Sequence, residues 1–337
     1  MRILIIGAGW YGSHIAKKCI EKGHTIVIVD KENDFFCGSS YKNQNRLHLG
    51  FHYPRSDDTI HECLIGYSKF KKEYPMLSTP FSDNFYFIST EKSKTSLTDF
   101  QTVFSKKNIQ YNVRISDQLH IPITQIEPLC IQVNEEYIHF QKARTYFQKL
   151  LGKYLYPIQD SSIFTSINTI KSYLHQEFDY ILNCTYNQLD PIPCEKYELY
   201  LTLLYKIENY DTFGYTIMDG PFFSIYPYDI EKKLYTVTSV KDGVLYEGSI
   251  PDTDIKIDSF LEEKILKIEN TVSSYIPSWK QISNYHGYFT SWKAKPATNT
   301  DDRSVRFSLQ ENVLHMYGGK ITGIFHAEEI LCNLKIL

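Results

Sequence analysis

Gly7-Ala8-Gly9-Trp10-Tyr11-Gly12 sets three glycines at the spacing G-x-G-x-x-G, directly after the apolar run Ile3-Leu4-Ile5-Ile6. Glycines at this spacing suit a pyrophosphate. Gly7 permits a tight turn, Gly9 lets the backbone approach the phosphates, and Gly12 lets the next helix pack closely on the strand. The N-terminus of that helix offers free N–H groups and a positive dipole end. Asp30 follows 18 residues after Gly12, with Lys31 beside it, and can accept hydrogen bonds from a ribose diol. A second concentration of reactive types lies at Asn43, Gln44, Asn45, Arg46, His48 and His52.

The elements around the first motif are legible. Ile3 to Ile6 predicts a buried parallel strand. Ser13 to Lys22 predicts a helix, with Ile15, Ala16, Cys19 and Ile20 on one face and Gly23 just past its end. His24 to Val29 predicts the next strand, ending at Asp30. Strand, glycine turn, helix, strand and terminal acid therefore fall in the order of a dinucleotide-binding βαβ unit. The fingerprint alone leaves NAD and FAD both open.

The segment after it, from Phe35 to Pro54, resembles the D-amino-acid-oxidase-like family of FAD-dependent oxidoreductases, the glycine-oxidase type. The resemblance is carried by Ser39-Ser40, by His48-Leu49-Gly50 and by Tyr53-Pro54. A nicotinamide enzyme usually continues with alternating strands and helices here. This chain enters a stretch rich in Asn, Gln, Arg and His, which suits the carbonyls and nitrogens of a flavin edge; a solvated loop is the plainer reading of the same residues. Two later segments extend the resemblance. Phe178 to Thr185 looks like the strand that re-enters the cofactor domain, with Tyr186 where the family has glycine. Gly318-Gly319-Lys320-Ile321-Thr322 lies between a strand at 312–316 and a helix at 324–331. In the family this turn faces the pyrimidine end of the flavin, where positive charge favours the reduced ring.

The resemblance implies an α/β fold with a Rossmann-like, glutathione-reductase-type FAD-binding domain and an inserted, mostly antiparallel β-sheet substrate domain. The cofactor domain is expected over 1–80, 135–190 and 285–337, and the substrate domain over 81–134 and 191–284. Strands are expected at 84–90, 200–207, 222–228 and 233–240, and helices at 135–155 and 259–274. The implied cofactor is non-covalent FAD. Its implied contacts are Gly7, Ala8, Gly9, Trp10, Tyr11, Gly12, Asp30, Lys31, Ser39, Ser40, Asn45, Arg46, Leu47, His48, Gly318, Gly319, Lys320, Ile321 and Thr322. His48 is the candidate polar group beside the flavin, and Arg46 the candidate grip on FAD or a substrate anion. The implied reaction oxidises a C–N or C–O bond of a small molecule by hydride transfer; the sequence does not name the electron acceptor. Two other readings share these residues: a flavoprotein without turnover, which Tyr186 favours, and an NAD-dependent enzyme.

Composition sets the outer limits. The chain has 337 residues, 42% apolar and 22% charged, with 36 Lys+Arg against 39 Asp+Glu and so a net charge of −3. That balance gives no general attraction to nucleic acid. No run of about 18 apolar residues predicts a membrane span. Seven cysteines without a C-x-x-C fit buried thiols in a cytoplasmic protein. Gly50 and Pro54 break any helix through His48 and His52, so no metal site is expected there. Lys293, Lys295, Arg303 and Arg306 form a basic stretch suited to a substrate anion or to solvent.

Overall fold

The computed structural model describes residues 1–194, 196–249, 255–295 and 304–337. Strand Arg2–Ile6 lies inside a five-stranded sheet, in parallel register between Thr25–Val29 and Tyr180–Asn183. Val313–Gly318 continues the parallel order, and Val305–Gln310 closes that edge antiparallel. Ile3 and Ile5 face one apolar layer and Leu4 and Ile6 the other, as a period of two dictates. Helices Trp10–Glu21, Phe140–Leu151 and Ile324–Asn333 supply the first layer, and Ile167–Leu174 the second. With both faces covered, Ile3 through Ile6 have no exposed surface.

Helix Trp10–Glu21 buries Ile15, Ala16 and Cys19, the face read from its spacing. Trp10 anchors its first turn. The indole is 2% exposed and packs within 6.2 Å of Phe36, Phe70, Tyr74 and Phe147. The turn before the helix is therefore held from below by a ring cluster.

A nine-stranded sheet forms the second body. Near one edge, the long strand Lys196–Lys206 pairs antiparallel with Leu234–Ser239 and Val244–Gly248 on one side and Asn284–Lys295 on the other. Among its described pairings only Phe213–Met218 with Asp83–Ile88 is parallel. Helix Asp258–Tyr275 and Trp279 cover one face. The expected strands and the 259–274 helix are thus present, with ends shifted by a few residues.

Two expectations are corrected. The helix expected over 135–155 begins only at Phe140; Glu136–Ile138 is instead the middle strand of a small sheet with Arg46–Leu47 and Ser78–Thr79. Tyr137 and Ile138 are better strand formers than helix formers, and two extended partners were available to them. Residues 285–295, expected in the cofactor domain, belong to the nine-stranded sheet; among the described residues, the chain rejoins the cofactor sheet at Val305. Helix Asp57–Glu73 had not been expected, although Ser56 caps it and Asp57 and Asp58 suit its positive end. Among the described residues no helix is long and apolar enough to cross a membrane.

Trp10→Ala should cost about 3–5 kcal/mol, the usual loss for emptying a large aromatic site. Urea unfolding monitored by far-UV circular dichroism reads it. A loss below about 1 kcal/mol would mean that the ring cluster does not support the turn.

Candidate active site

The glycine turn is built by contact. Gly7 has φ +101°, and a Cβ there would lie 2.7 Å from the Cys184 carbonyl oxygen. A Cβ on Gly12 would lie 1.9 Å from the Gly7 carbonyl oxygen. Ser40 Oγ accepts from the Trp10 N–H at 2.9 Å, and a Cβ on Gly9 would reach it at 2.7 Å. Asp30 braces the same turn. Its Oδ2 accepts from the Ala8 N–H at 2.8 Å and its Oδ1 from the Glu32 N–H at 3.0 Å. Burial pushes the Asp30 carboxyl up, and those two N–H groups oppose the shift. The carboxylate expected to hold a ribose is thus engaged in shaping the phosphate turn.

The C-terminal turn meets the first one. Gly318 and Gly319 have φ of +79° and +75°. A Cβ on Gly319 would lie 2.3 Å from Val305 Cγ2 and 2.5 Å from the Tyr11 hydroxyl. That hydroxyl donates to the Lys320 carbonyl at 2.8 Å and so joins turns 309 residues apart. Tyr186, where the family has glycine, keeps a glycine-like φ of +59°. A non-glycine residue pays roughly 1 kcal/mol for that conformation, so the backbone path survives and the side chain adds a ring to the cleft wall.

Between the two bodies lies a cleft of about 860 Å³. Trp10, Tyr11, Ser39, Ser40 and Gly318 through Ile321 line one side, and Tyr200, Thr202, Phe223 and Lys293 the other. Asn45, Arg46, His48, His52 and Tyr53 lie along it. Of the residues singled out in the sequence, Gly7, Ala8, Gly9, Gly12 and Asp30 lie outside the lining, Lys31 is exposed and outside it, and Leu47 and Thr322 are buried in packing.

Arg46 departs from its expected task. It is 3% exposed. One terminal nitrogen donates to the Tyr86 hydroxyl at 2.6 Å, and the other to Thr216 Oγ1 and Ser224 Oγ at 2.9 Å each. Its guanidinium lies 4.0 Å from the Tyr226 ring centroid and 3.7 Å from Glu135. With both terminal nitrogens engaged, Arg46 clamps the sheets together, while its buried Nε makes no hydrogen bond among the described residues. Glu135, absent from the sequence-derived set, accepts from Tyr86 at 2.7 Å and from the Leu49 N–H at 2.8 Å. Two adjacent acids interrupting an apolar stretch were its only signal.

The imidazoles are neutral at pH 7. Burial pushes His48 down to about 4 and His52 well below its ordinary value, with Arg46 and Lys320 acting in the same direction. Glu135 stays ionised. Burial opposes its charge, but the Arg46 guanidinium and the Tyr86 hydroxyl hold the carboxyl below its ordinary value. Lys320 Nζ lies 4.7 Å from the Tyr53 ring centroid. In the basic stretch, Lys293 stacks 3.1 Å from the Tyr200 centroid and Lys295 pairs with buried Glu198 at 2.5 Å. Arg303 lies outside the described residues.

His48 has a consequence for pH. Between about 6.5 and 4 the unfolded chain binds a proton at this position and the folded chain does not. Stability therefore rises with pH across that window and is lost as pH falls from 6.5 toward 4, by about 3 kcal/mol in all. His48→Gln should remove only the His48 share of that slope and leave the shares of the other depressed histidines, His52, His14, His139 and His315. Urea midpoints at pH 7 and pH 5 test this; an equal loss in both proteins would place the titration elsewhere.

Residues 5–62 match the NAD(P)-binding Rossmann-like domain family. The chain is 28% identical to the FAD-dependent monooxygenase FPY4 of Fusarium mangiferae, over 98% of this chain and 90% of that one. Glycine oxidase from Geobacillus kaustophilus superposes with a TM-score of 0.70 at 8% identity, covering 96% of this chain and 90% of its own. L-alpha-glycerophosphate oxidase from Mycoplasma pneumoniae, solved with FAD bound, gives 0.70 at 11%, covering 98% and 92%. The chain thus shares the fold of glycine oxidase and L-alpha-glycerophosphate oxidase.

Proposed function

We propose that this protein is an FAD-dependent oxidoreductase that removes hydride from a C–N or C–O bond of a small substrate. The observation that carries the reading is the cleft that runs from Trp10 and Tyr11 of the first glycine turn to Gly318 and Gly319 of the last, the two turns joined by the Tyr11–Lys320 hydrogen bond. A dinucleotide needs a pyrophosphate site, and a flavin also needs a ring site; the two turns offer one each. The residues fit the group. The phosphate turn is packed so tightly that no side chain fits at Gly7 or Gly12, which fixes its backbone beside the cleft-lining Trp10 and Tyr11. Two buried ring nitrogens, His48 Nδ1 and His52 Nδ1, make no hydrogen bond among the described residues. When bound, FAD supplies a two-electron acceptor.

The chain's own residues do the rest. The helix beginning at Trp10 would face the pyrophosphate with its N–H groups, and Gly318 through Ile321 would face the ring. His48 and His52, uncharged, can accept or donate hydrogen bonds to the substrate. Tyr200, Thr202 and Phe223 form the opposite wall and exclude water from the reacting carbon. FPY4, similar over nearly the whole chain, is described as a monooxygenase. Oxygen insertion is therefore the second reading, and it requires O₂ and an external reductant.

The protein should purify yellow, and acid precipitation should release FAD into the supernatant. Flavin retained in the pellet would contradict the non-covalent site. Bleaching of the flavin by substrate under anaerobic conditions, without NAD(P)H, would separate hydride removal from oxygen insertion. Lys320→Met should lower the flavin reduction potential by on the order of 30–60 mV while FAD content is kept. That is about 1.4–3 kcal/mol for a two-electron couple, the range of one charged hydrogen bond. An unchanged potential would place the Lys320 side chain away from the ring.

A further inference from the structure

Glu135 has no exposed surface and faces two different groups. Its Oε2 receives the Tyr86 hydroxyl proton at 2.7 Å and lies 3.7 Å from Arg46. Its Oε1 receives the Leu49 N–H at 2.8 Å and lies 3.5 Å from His48 Nδ1. That nitrogen is buried and makes no hydrogen bond among the described residues. Two opposed lone pairs would repel, so a carboxylate oxygen there favours an N–H on Nδ1. The Leu49 N–H fixes the carboxylate and the loop that carries His48 in one geometry. A modest tightening closes the 3.5 Å gap to a hydrogen bond, a change common when a site fills. The imidazole keeps 13% of its side chain exposed and lines the cleft. With the proton on Nδ1, the lone pair is left on Nε2.

We infer that Glu135 is a positioning residue that holds the His48 proton on Nδ1, makes Nε2 a proton acceptor, and so fits the site to an alcohol or hydroxy acid. This rests on FAD as the electron acceptor in the cleft. Oxidising an alcohol to a carbonyl removes a hydride from carbon and a proton from oxygen. The C–H pair goes to FAD, the O–H proton goes to Nε2, and the O–H electrons become the second C–O bond. The imidazolium formed is offset by the Glu135 carboxylate. A neutral amine releases hydride with no such acceptor, whereas an alcohol must give up its O–H proton, and that is the step Nε2 serves. The groups that face His48 are Glu135, Arg46, Lys320, His52 and Tyr53. Arg46 and Lys320 disfavour a charged ring, and Glu135 favours it.

The test is nitrogen NMR of ¹⁵N-histidine-labelled protein as purified with its flavin, the His48 signals assigned by their loss in His48→Gln. At pH 7, wild-type His48 should carry its proton on Nδ1. Glu135→Gln should lower the ratio of that tautomer to the other by roughly tenfold, the factor of about one pKa unit, and Glu135→Asp should restore part of it. A purely structural role would leave the tautomer ratio unchanged. A proton on Nε2 in the wild type overturns the inference, and decides the matter even if Glu135→Gln fails to fold. So does the same ratio in wild type and Glu135→Gln. Anaerobic bleaching by an amine, but not by the alcohol of the same skeleton, overturns the substrate class. Flavin content is measured on the same sample, and the tautomer is read without turnover; a flavin-free protein would therefore count against the cofactor reading alone.

Discussion

The site depends on one buried cation. Arg46 leaves the small sheet beside the cofactor body and inserts its guanidinium against three adjacent strands of the large sheet, at Tyr86, Thr216 and Ser224. A charge taken out of water costs several kcal/mol unless it is paired and hydrogen-bonded. Here Glu135, three hydroxyls and the Tyr226 face meet most of that demand, leaving Nε without a hydrogen bond among the described residues. None of these partners is optional, because removing one leaves a buried charge or a buried hydroxyl unsatisfied. The two bodies are therefore held in one relation by a geometry-sensitive contact, where an apolar seam would allow sliding. The cleft inherits that rigidity, since Arg46 lies two residues before His48.

The cofactor side is held differently, by close backbone approach. Gly12 against Gly7 and Gly7 against Cys184 leave no room for a Cβ. Tyr11 then carries the shape of the first turn to the last one through a single hydroxyl. Tyr186 shows how far such a frame can force a residue: a tyrosine takes the left-handed conformation that glycine takes freely.

The βαβ unit was legible because its signals are local. Apolar run, glycine spacing and helix face all lie within thirty residues, and the periods of strand and helix differ. The strand at Glu136–Ile138 was not legible, because what fixes it is pairing with Arg46–Leu47 and Ser78–Thr79, far away in sequence. Arg46 was found as an important residue but its partners were not. Thr216 and Ser224 lie 170 and 178 positions from it, and no spacing rule spans such a distance. Asp30 illustrates the same limit at short range: its position followed from the motif, but the engagement of both its oxygens with N–H groups needed the turn's coordinates.

Burial and charge together explain why the histidines of the cleft stay neutral. Arg46 and Lys320 already place two cations near His48 and His52. A third in the same low-dielectric space would add repulsion to the desolvation cost. Glu135 lowers the cost for His48, which it faces directly, more than for His52, where its influence is the last and smallest contribution. Two imidazoles four residues apart, made alike by composition, are thus made unlike by one carboxylate. His52 is the ring more strongly held neutral, and His48 the one that faces an opposite charge directly.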